Sequence, residues 1–444
     1  MSIPILSHTE QAWKWAKARF LRRSLGYWIT AICVLAATSW AMPFIDQRLG
    51  LVRERSWLFQ QLSKSGDNPA RPGNARVVLV GDDEFYDGDM HHRVPTDRAF
   101  LARLIHQLDE TDPKVIALDF DMVVAHPMRP PTANELGKFG ETDPYGAETD
   151  LLIQAIEDVA LRRKVVLAKT ITGPISGPYK FLTDIYQYYG LCSAILPNGE
   201  WDNPGIPGHP LSDVVKHHIS CGYISLMDDI RRFPVPQTIV GQQGRLDSFA
   251  IAVVRANNPT LIPTFDNRPY FGTFIESNLV NNRQITVSAR SVMSNPSAVR
   301  DILQGEPVFV GAGWHSRYAE SGAFVDTHVT PIGQVSGVFI HENLAEAAMS
   351  NRIYAGLGPH MLFALEIVAG LVLIFIVASF NLILTRIAAL ALLAIFFFLA
   401  QWFLLRLFGF FFDSAVPLLA VGVHSVLDGV IKEFSHEPAT TEQA

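Results

Sequence analysis

Charge is scarce in this chain: Asp, Glu, Lys and Arg make up 18% of its 444 residues, against 49% hydrophobic residues. Soluble domains carry roughly 25% charged residues, so part of this chain is expected to meet lipid rather than water. A long basic run is also missing, and the formal net charge is −7. That excludes the electrostatic footprint of a nucleic-acid-binding protein. Cysteine is limited to three residues, with no CxxC and no Cys/His spacing of a zinc site. The G-x-S-x-G, Walker and H-E-x-x-H signatures are absent too, so no familiar hydrolase, nucleotide-binding or zinc-protease motif presents itself.

The apolar residues concentrate in 25–45 and 359–431. From Leu25 to Ile45 there is no charge, a length sufficient for a bilayer core of about 30 Å. Lys14, Lys17, Arg19, Arg22 and Arg23 stand just before it; positive flanks stay in the cytoplasm, so this helix should run outward. A cleaved signal peptide is the rival reading. The long basic lead-in, the length of the apolar stretch and the lack of an A-x-A site favour an uncleaved anchor.

The C-terminal block divides into 359–380, 387–405 and about 410–430, separated by Asn381–Arg386 and, more loosely, by Arg406 and Asp413. Four crossings put both termini in the cytoplasm, in agreement with Arg386 and Lys432, while Arg406 counts against the scheme. The expected organisation is a cytoplasmic basic segment 1–24, a transmembrane helix 25–45, an extracytoplasmic domain 46–358, three transmembrane helices in 359–431 and a cytoplasmic tail 432–444. Glu366, His424 and Asp428 fall within or near the ends of these helices. At membrane depth they would be functional candidates, but near helix ends such residues are expected to reach the headgroups.

The middle region is large enough for its own core and reads as α/β. Arg76-Val-Val-Leu-Val-Gly-Asp is an apolar run of buried-strand type, residues 96–109 place Phe100, Leu101, Leu104, Ile105 and Leu108 at helical spacing behind Thr96 or Asp97 as N-cap, and Lys114-Val-Ile-Ala-Leu-Asp-Phe reads as a second strand. A helix at about 148–162, strands at Lys164-Val-Val-Leu-Ala and Glu306-Pro-Val-Phe-Val-Gly, and a helix at 338–349 continue the alternation. The fold class is therefore a mostly parallel α/β sheet with helices on both faces, plus about four transmembrane helices.

In such sheets ligands bind outside the carboxyl ends of the strands. Asp82, Asp83 and Glu84 end the first strand, Asp119 and Asp121 the second, and His315, Asp326 and His328 follow the late one. Asp83, Asp119 and Asp326 are expected to lie close together on one rim that could hold a divalent cation or a polar ligand. The alternative is structural: the acids cap the following helices and pair with Arg93, Arg98, Arg231 or Arg232. Gly311 and Gly313 lack the third glycine of a dinucleotide fingerprint and are taken as turn formers. His91-His92 and His217-His218 are read as loop residues. Cys192 and Cys221 could pair in an oxidising compartment or remain buried thiols.

Four stretches resemble the type-two CHASE domain, the cyclase/histidine-kinase-associated sensory extracellular family: VVLVGDDEF at 77–85 with Arg98 downstream, VIALDFDMV at 115–123, GYISLMDDIRRFPV at 222–235, and FVGAGWHSR with DTHVTPIGQVSGVFIHENL across 309–344. Their order fits that family, as does one helix before the domain and three after it. The resemblance marks Asp83, Arg98, Asp119, Asp228, Arg232, Asp326, His328, Pro331, Gly337, His341 and Asn343, and implies signal input to kinases or cyclases without naming a ligand or cofactor. Family members usually continue into a cytoplasmic output domain, whereas only residues 433–444 follow Lys432 here.

The expectation is then a non-enzymatic sensor or regulatory subunit of a bacterial inner membrane, its large domain in the periplasm, signalling to a separate partner protein. Asp83, Arg98, Asp119, Asp121, Asp326 and His328 are its candidate ligand-binding residues. Self-association stays open. A structural docking subunit of a membrane complex and an extracytoplasmic metal-dependent hydrolase are the alternatives.

Overall fold

In the computed structural model the described residues are 23–49, 61–62, 73–88, 90, 96–122, 146–172, 180–181, 186, 191–192, 211–226, 233–238, 245–261, 265–266, 269–272, 283–315, 326–330, 333–379, 383–408 and 415–435. The chain divides into two units, one comprising 1–55, 267–269 and 354–444, the other 56–266 and 270–353.

The larger unit is built on a six-stranded sheet. Its strands are β1 (Arg76–Val80), β2 (Val115–Asp119), β3 (Lys164–Lys169), β4 (Ile219–Tyr223), β5 (Thr286–Ser288) and β6 (Pro307–Ala312), in the spatial order β5-β1-β6-β2-β3-β4. Every neighbouring pair is parallel. The apolar runs of β1, β2, β3 and β6 are buried almost throughout, as expected of strands covered on both faces. Val78, Val80, Ile116, Leu118, Val165, Leu167, Val308 and Val310 share one core with the helices α3 (Arg98–Asp109) and α4 (Gly146–Ala160). A short helix α2 (Asp82–Phe85) precedes them, and α1 (Leu25–Leu49) belongs to the other unit.

Packing on the sheet depends on missing side chains. Gly222 in β4 lies so near α6 (Phe249–Asn257) that a Cβ would stand 2.5 Å from Phe249 Cα. Gly311 in β6 leaves equally little room against Val338, and a Cβ on Gly313 would meet the Leu79 side chain at 2.3 Å. These two glycines are thus close-approach positions rather than turn formers: large β-branched and Leu neighbours occupy the space a side chain would need. The sheet face beyond them carries α6 and α9 (Gly337–Met349), with α5 (Asp213–His218), α7 (Ala289–Ser294) and α8 (Pro296–Leu303) completing the helices discussed. Between β6 and α9 runs an antiparallel hairpin, β7 (Thr327–Thr330) with β8 (Gly333–Ser336).

Cys192 and Cys221 are joined as a disulfide, with a Cα–Cα distance of 5.6 Å, which ties residue 192 to β4. Asp97, not Thr96, caps α3, accepting the Phe100 N–H at 2.8 Å.

The smaller unit is helical: α1, α10 (Pro359–Ala378), α11 (Ile383–Phe408) and α12 (Ala415–Ser435). Three of its helices hold stretches long and apolar enough to cross a membrane, at Leu25–Met42, His360–Val377 and Ala388–Leu405. A helix, α12, stands where the fourth crossing is expected, but its apolar stretch, Val416–Asp428, is shorter than the three spans. Ala31, Leu35, Leu373, Ile374, Val377, Ala420 and Val421 make the shared core of α1, α10 and α12. Leu35 nests against Gly370, Ser39 donates a hydrogen bond to Glu366 Oε2 at 2.6 Å, and Trp28 stacks on Phe375. Positions that rise along α1 thus meet positions that fall along α10, so the two helices run antiparallel.

Glu366 and His424 are buried within this unit rather than turned to its ends. The partners explain the difference: Ser39 faces Glu366, and Tyr27 lies edge-on to the His424 ring at 4.8 Å. The outward face of α11 carries Leu392, Ile395, Phe396, Leu399 and Phe403, an apolar surface suited to acyl chains.

Candidate functional site

The carboxyl edge of the sheet carries two acid-bearing strand ends with different chemistry. After β1, the acids are used up in structure. Glu84 is buried and accepts hydrogen bonds from the backbone N–H groups of Gly81 (2.8 Å) and Arg290 (2.6 Å), closing the start of α2 and holding α7 to it. Asp82 binds His315 twice, at its backbone N–H and at Nδ1, each at 2.7 Å. Asp83 is exposed and pairs with Arg290 at 3.5 Å.

After β2, Asp119 is half-buried and has no hydrogen bond or ion pair among the described residues. Burial, reinforced by the nearby charge of Asp326, pushes its carboxyl up to about 8. Asp326, at the start of the hairpin, accepts the Gly337 N–H at 3.1 Å and meets His328 Nε2 at 2.9 Å. Burial opposes its ionisation, but the hydrogen bond and charge of His328, the charge of His341 and the Gly337 N–H outweigh that and hold its carboxyl below the usual range. Its seat is the N-terminus of α9, where exposed N–H groups and the helix dipole favour an anion. Only glycine fits there, since a Cβ on residue 337 would stand 2.1 Å from Asp326 Oδ2.

One turn into α9, His341 is 3% exposed. Its ring lies edge-on to Phe249, 5.4 Å between centroids, and the Ile224 backbone just past β4 favours its protonated form; Nδ1 has no partner among the described residues. Burial drives its pKa down to about 4, with Asp326 pulling upward and His328 downward, so the imidazole is neutral at pH 7. The close approach at Gly222 is what brings Phe249 and Ile224 to this ring. The arrangement can accept hydrogen bonds at Asp119 and at His341 Nδ1 while Asp326 supplies a fixed negative charge.

Of the residues expected to form a site, the fold therefore brings together Asp119, Asp326 and His328 and adds His341. Asp83 pairs with Arg290 at the β1 end, which α7 contacts, and β6 lies between β1 and β2. Arg98 is buried at the start of α3 and donates to Thr149 Oγ1, joining α3 to α4. Asp121 is exposed just beyond β2. Asp228, Arg232 and Pro331, marked by resemblance, lie outside the described residues, as do His91, His92, Arg93 and Arg231. Among the described residues no three His, Cys, Asp or Glu side chains gather as a metal ion would require.

The family resemblance marked His341, but the candidate ligand-binding set did not include it. A signal was available: α9 is buried from Gly337 to Ala348 although it contains His341, Glu342, Asn343 and Glu346. Polar residues at that density on a core helix need dedicated partners. Glu346 has them, accepting from Asn74 Nδ2 at 2.9 Å and Ser350 Oγ at 2.7 Å.

A comparison with protein families matches residues 28–382 to the model described as CHASE2 domain. No curated protein and no solved structure matches the chain.

Proposed function

The chain belongs to the CHASE2 domain family, a family of sensory domains, and from that premise we propose that it is a membrane-bound, non-catalytic sensor of the bacterial inner membrane. Its α/β unit stands in the periplasm and receives a chemical signal at the Asp119, Asp326, His328 and His341 rim. The helices α1 and α10–α12 cross the membrane four times and present the response to a separate signalling protein.

The observation that carries this reading is the position of the rim on α9. Asp326 caps the first turn of that helix and His341 lies in the next one. The same helix ends at Met349, and nine residues separate it from the start of α10 at Pro359. A ligand that engages Asp119 and His341 therefore acts on the element that leads straight into a membrane helix. Such a ligand shifts an equilibrium only through its differential affinity for two arrangements, and a helix tied to both site and membrane supplies the coupling. The antiparallel pairing of α1 with α10 supports the placement, since the end of α1 and the start of α10 then face the same side of the membrane. The basic flank Lys14–Arg23 supports that side being the outer one. The Cys192–Cys221 disulfide suits an oxidising compartment.

Recovery of companion proteins from gently solubilised membranes tests the partner. The intact chain should retain a specific companion that a variant lacking 359–444 loses; equal recovery, or none, contradicts the reading.

A further inference from the structure

We propose that Glu346 is a coupling latch: its carboxyl makes the segment that brings the chain in from α1 and the helix that carries it out towards α10 move as one, so that a displacement of α9 reaches both connections to the helical unit. The inference rests on the sensor reading for its purpose and goes beyond it, since that reading engages α10 alone.

The two connections come from distant parts of the sequence. The chain leaves α1 at Leu49 and enters the sheet at Arg76, the first residue of β1; it leaves α9 at Met349 and enters α10 at Pro359. Glu346, buried in the last turn of α9, grips the incoming segment. Its Oε2 accepts the Asn74 backbone N–H and its Oε1 accepts Asn74 Nδ2 at 2.9 Å, while Ser350, just past the end of α9, donates to Oε1 at 2.7 Å. Gly73 leaves the carboxyl its room, because a Cβ there would stand 3.0 Å from Oε2. Hydrogen bonds weaken steeply with distance and angle, so a shift of α9 either carries Asn74 along or breaks them.

The place of Glu346 on α9 gives the contact its consequence. The helix is buried from Gly337 to Ala348, and a close-packed interior passes a displacement on rather than absorbing it. Val338, in the first turn, packs where Gly311 of β6 leaves room, and Glu346 follows about 12 Å further along the axis at the α-helical rise. The incoming segment has a second anchor in Arg76, whose guanidinium donates to the Gly73, Ala75 and Ile302 carbonyls and pairs with Glu306 at 3.6 Å. Arg76 thus holds the segment to α8 and to the residue before β6, whereas Glu346 holds it to α9. Burial pushes the Glu306 carboxyl up, Arg76 opposes that and Glu346 adds to it, so the two anchors stand within each other's field.

The test uses the full chain in lipid nanodiscs, read by hydrogen exchange of the amides of residues 73–77, with those of β3 as the reference for global opening. G311A supplies the push, since a Cβ there would stand 2.5 Å from Val338 Cβ and the start of α9 must give way. Exchange at 73–77 should rise about fivefold or more relative to β3, and in the E346A background G311A should add nothing to the effect of E346A alone. A contact that only holds the fold together would speed exchange in E346A and leave the segment unresponsive to G311A. Should G311A fail to fold, G337A drives the Asp326 carboxyl off the same helix end. Should E346A fail to fold, E346Q keeps one acceptor oxygen in place of two and should reduce the response about twofold or more. No response at 73–77, a rise matched by β3, or a response that E346A or E346Q leaves unchanged overturns the proposal. Such a result in a protein that still recovers its companion leaves the sensor reading standing; a response through Glu346 in a protein that recovers no companion upholds the latch and removes the sensor reading.

Discussion

The ends of β1 and β2 look alike in sequence, each an apolar strand closing on acids, yet they do opposite things. At the β1 end every acid has a partner: Glu84 closes a helix start, Asp82 holds His315 and Asp83 meets Arg290. At the β2 end Asp119 has none among the described residues. Position on the sheet edge is the same; what differs is what comes from far along the chain to meet it. The β1 acids are reached by α7 and by the segment after β6, which carry ready donors. Asp119 is approached by another carboxylate, Asp326, and a buried neutral imidazole. The unpaired end is the one suited to a ligand, because free energy held back from folding remains for binding.

That contrast can be broken in several ways. The largest effect is expected at the disulfide that fastens β4, the strand that leads to Ile224. Its ends are 29 residues apart in sequence, so replacing both Cys192 and Cys221 by serine should cost about 3–4 kcal/mol by the loop-closure estimate. A thiol assay under denaturing, non-reducing conditions should find one reactive group, Cys33; three would show the bond absent. Next comes E84A, which strands the Gly81 and Arg290 N–H groups and should lower stability by about 2–3 kcal/mol. The matching D119A should be within about 1 kcal/mol of wild type or more stable, since no partner is lost. Thermal unfolding of the intact protein compares the two, and a D119A loss as large as that of E84A would erase the distinction between the strand ends.

The pH dependence sharpens the comparison further. With its carboxyl raised to about 8, Asp119 binds more protons folded than unfolded between about pH 4 and 8, so its contribution to stability falls as pH rises through that window. His341, lowered to about 4, works the other way and adds stability from about pH 4 to its ordinary value of 6.5. Above pH 6.5 only the Asp119 slope remains of these two. Stability should therefore decline from pH 6.5 to 8 in wild type and less steeply in D119N; parallel profiles would contradict the buried, unpaired carboxyl. The smallest effect is expected for D83A, because the exposed Asp83–Arg290 pair is screened by water and should shift stability by about 0.5 kcal/mol or less.

Much of this was legible from residue order. The strands β1, β2, β3 and β6 are uninterrupted apolar runs, and α3, α4 and α9 carry helical spacing, so each stands within about two residues of where pattern places it. The parallel sheet followed. The edge strands β4 and β5 did not: Ile219–Tyr223 includes Ser220 and Cys221, Thr286–Ser288 is three residues long, and neither has the continuous apolar run of a central strand. The site was half legible for a related reason. Asp119, Asp326 and His328 sit at strand and hairpin ends and could be nominated one by one. That β6 separates β1 from β2 is decided by a strand more than 180 residues downstream. Arg98 illustrates the same limit, since its donor role toward Thr149 depends on α4. In the helical unit, Glu366 reads as a residue near a helix end until α1 brings Ser39 against it.

The account depends most on the side of the membrane at which the α/β unit stands. Alkaline phosphatase fused after Glu200 and after Phe434 measures it directly, since the enzyme is active only outside the cytoplasm. The account predicts activity at the Glu200 junction and none at the Phe434 junction; activity at Phe434 but not at Glu200 would contradict it.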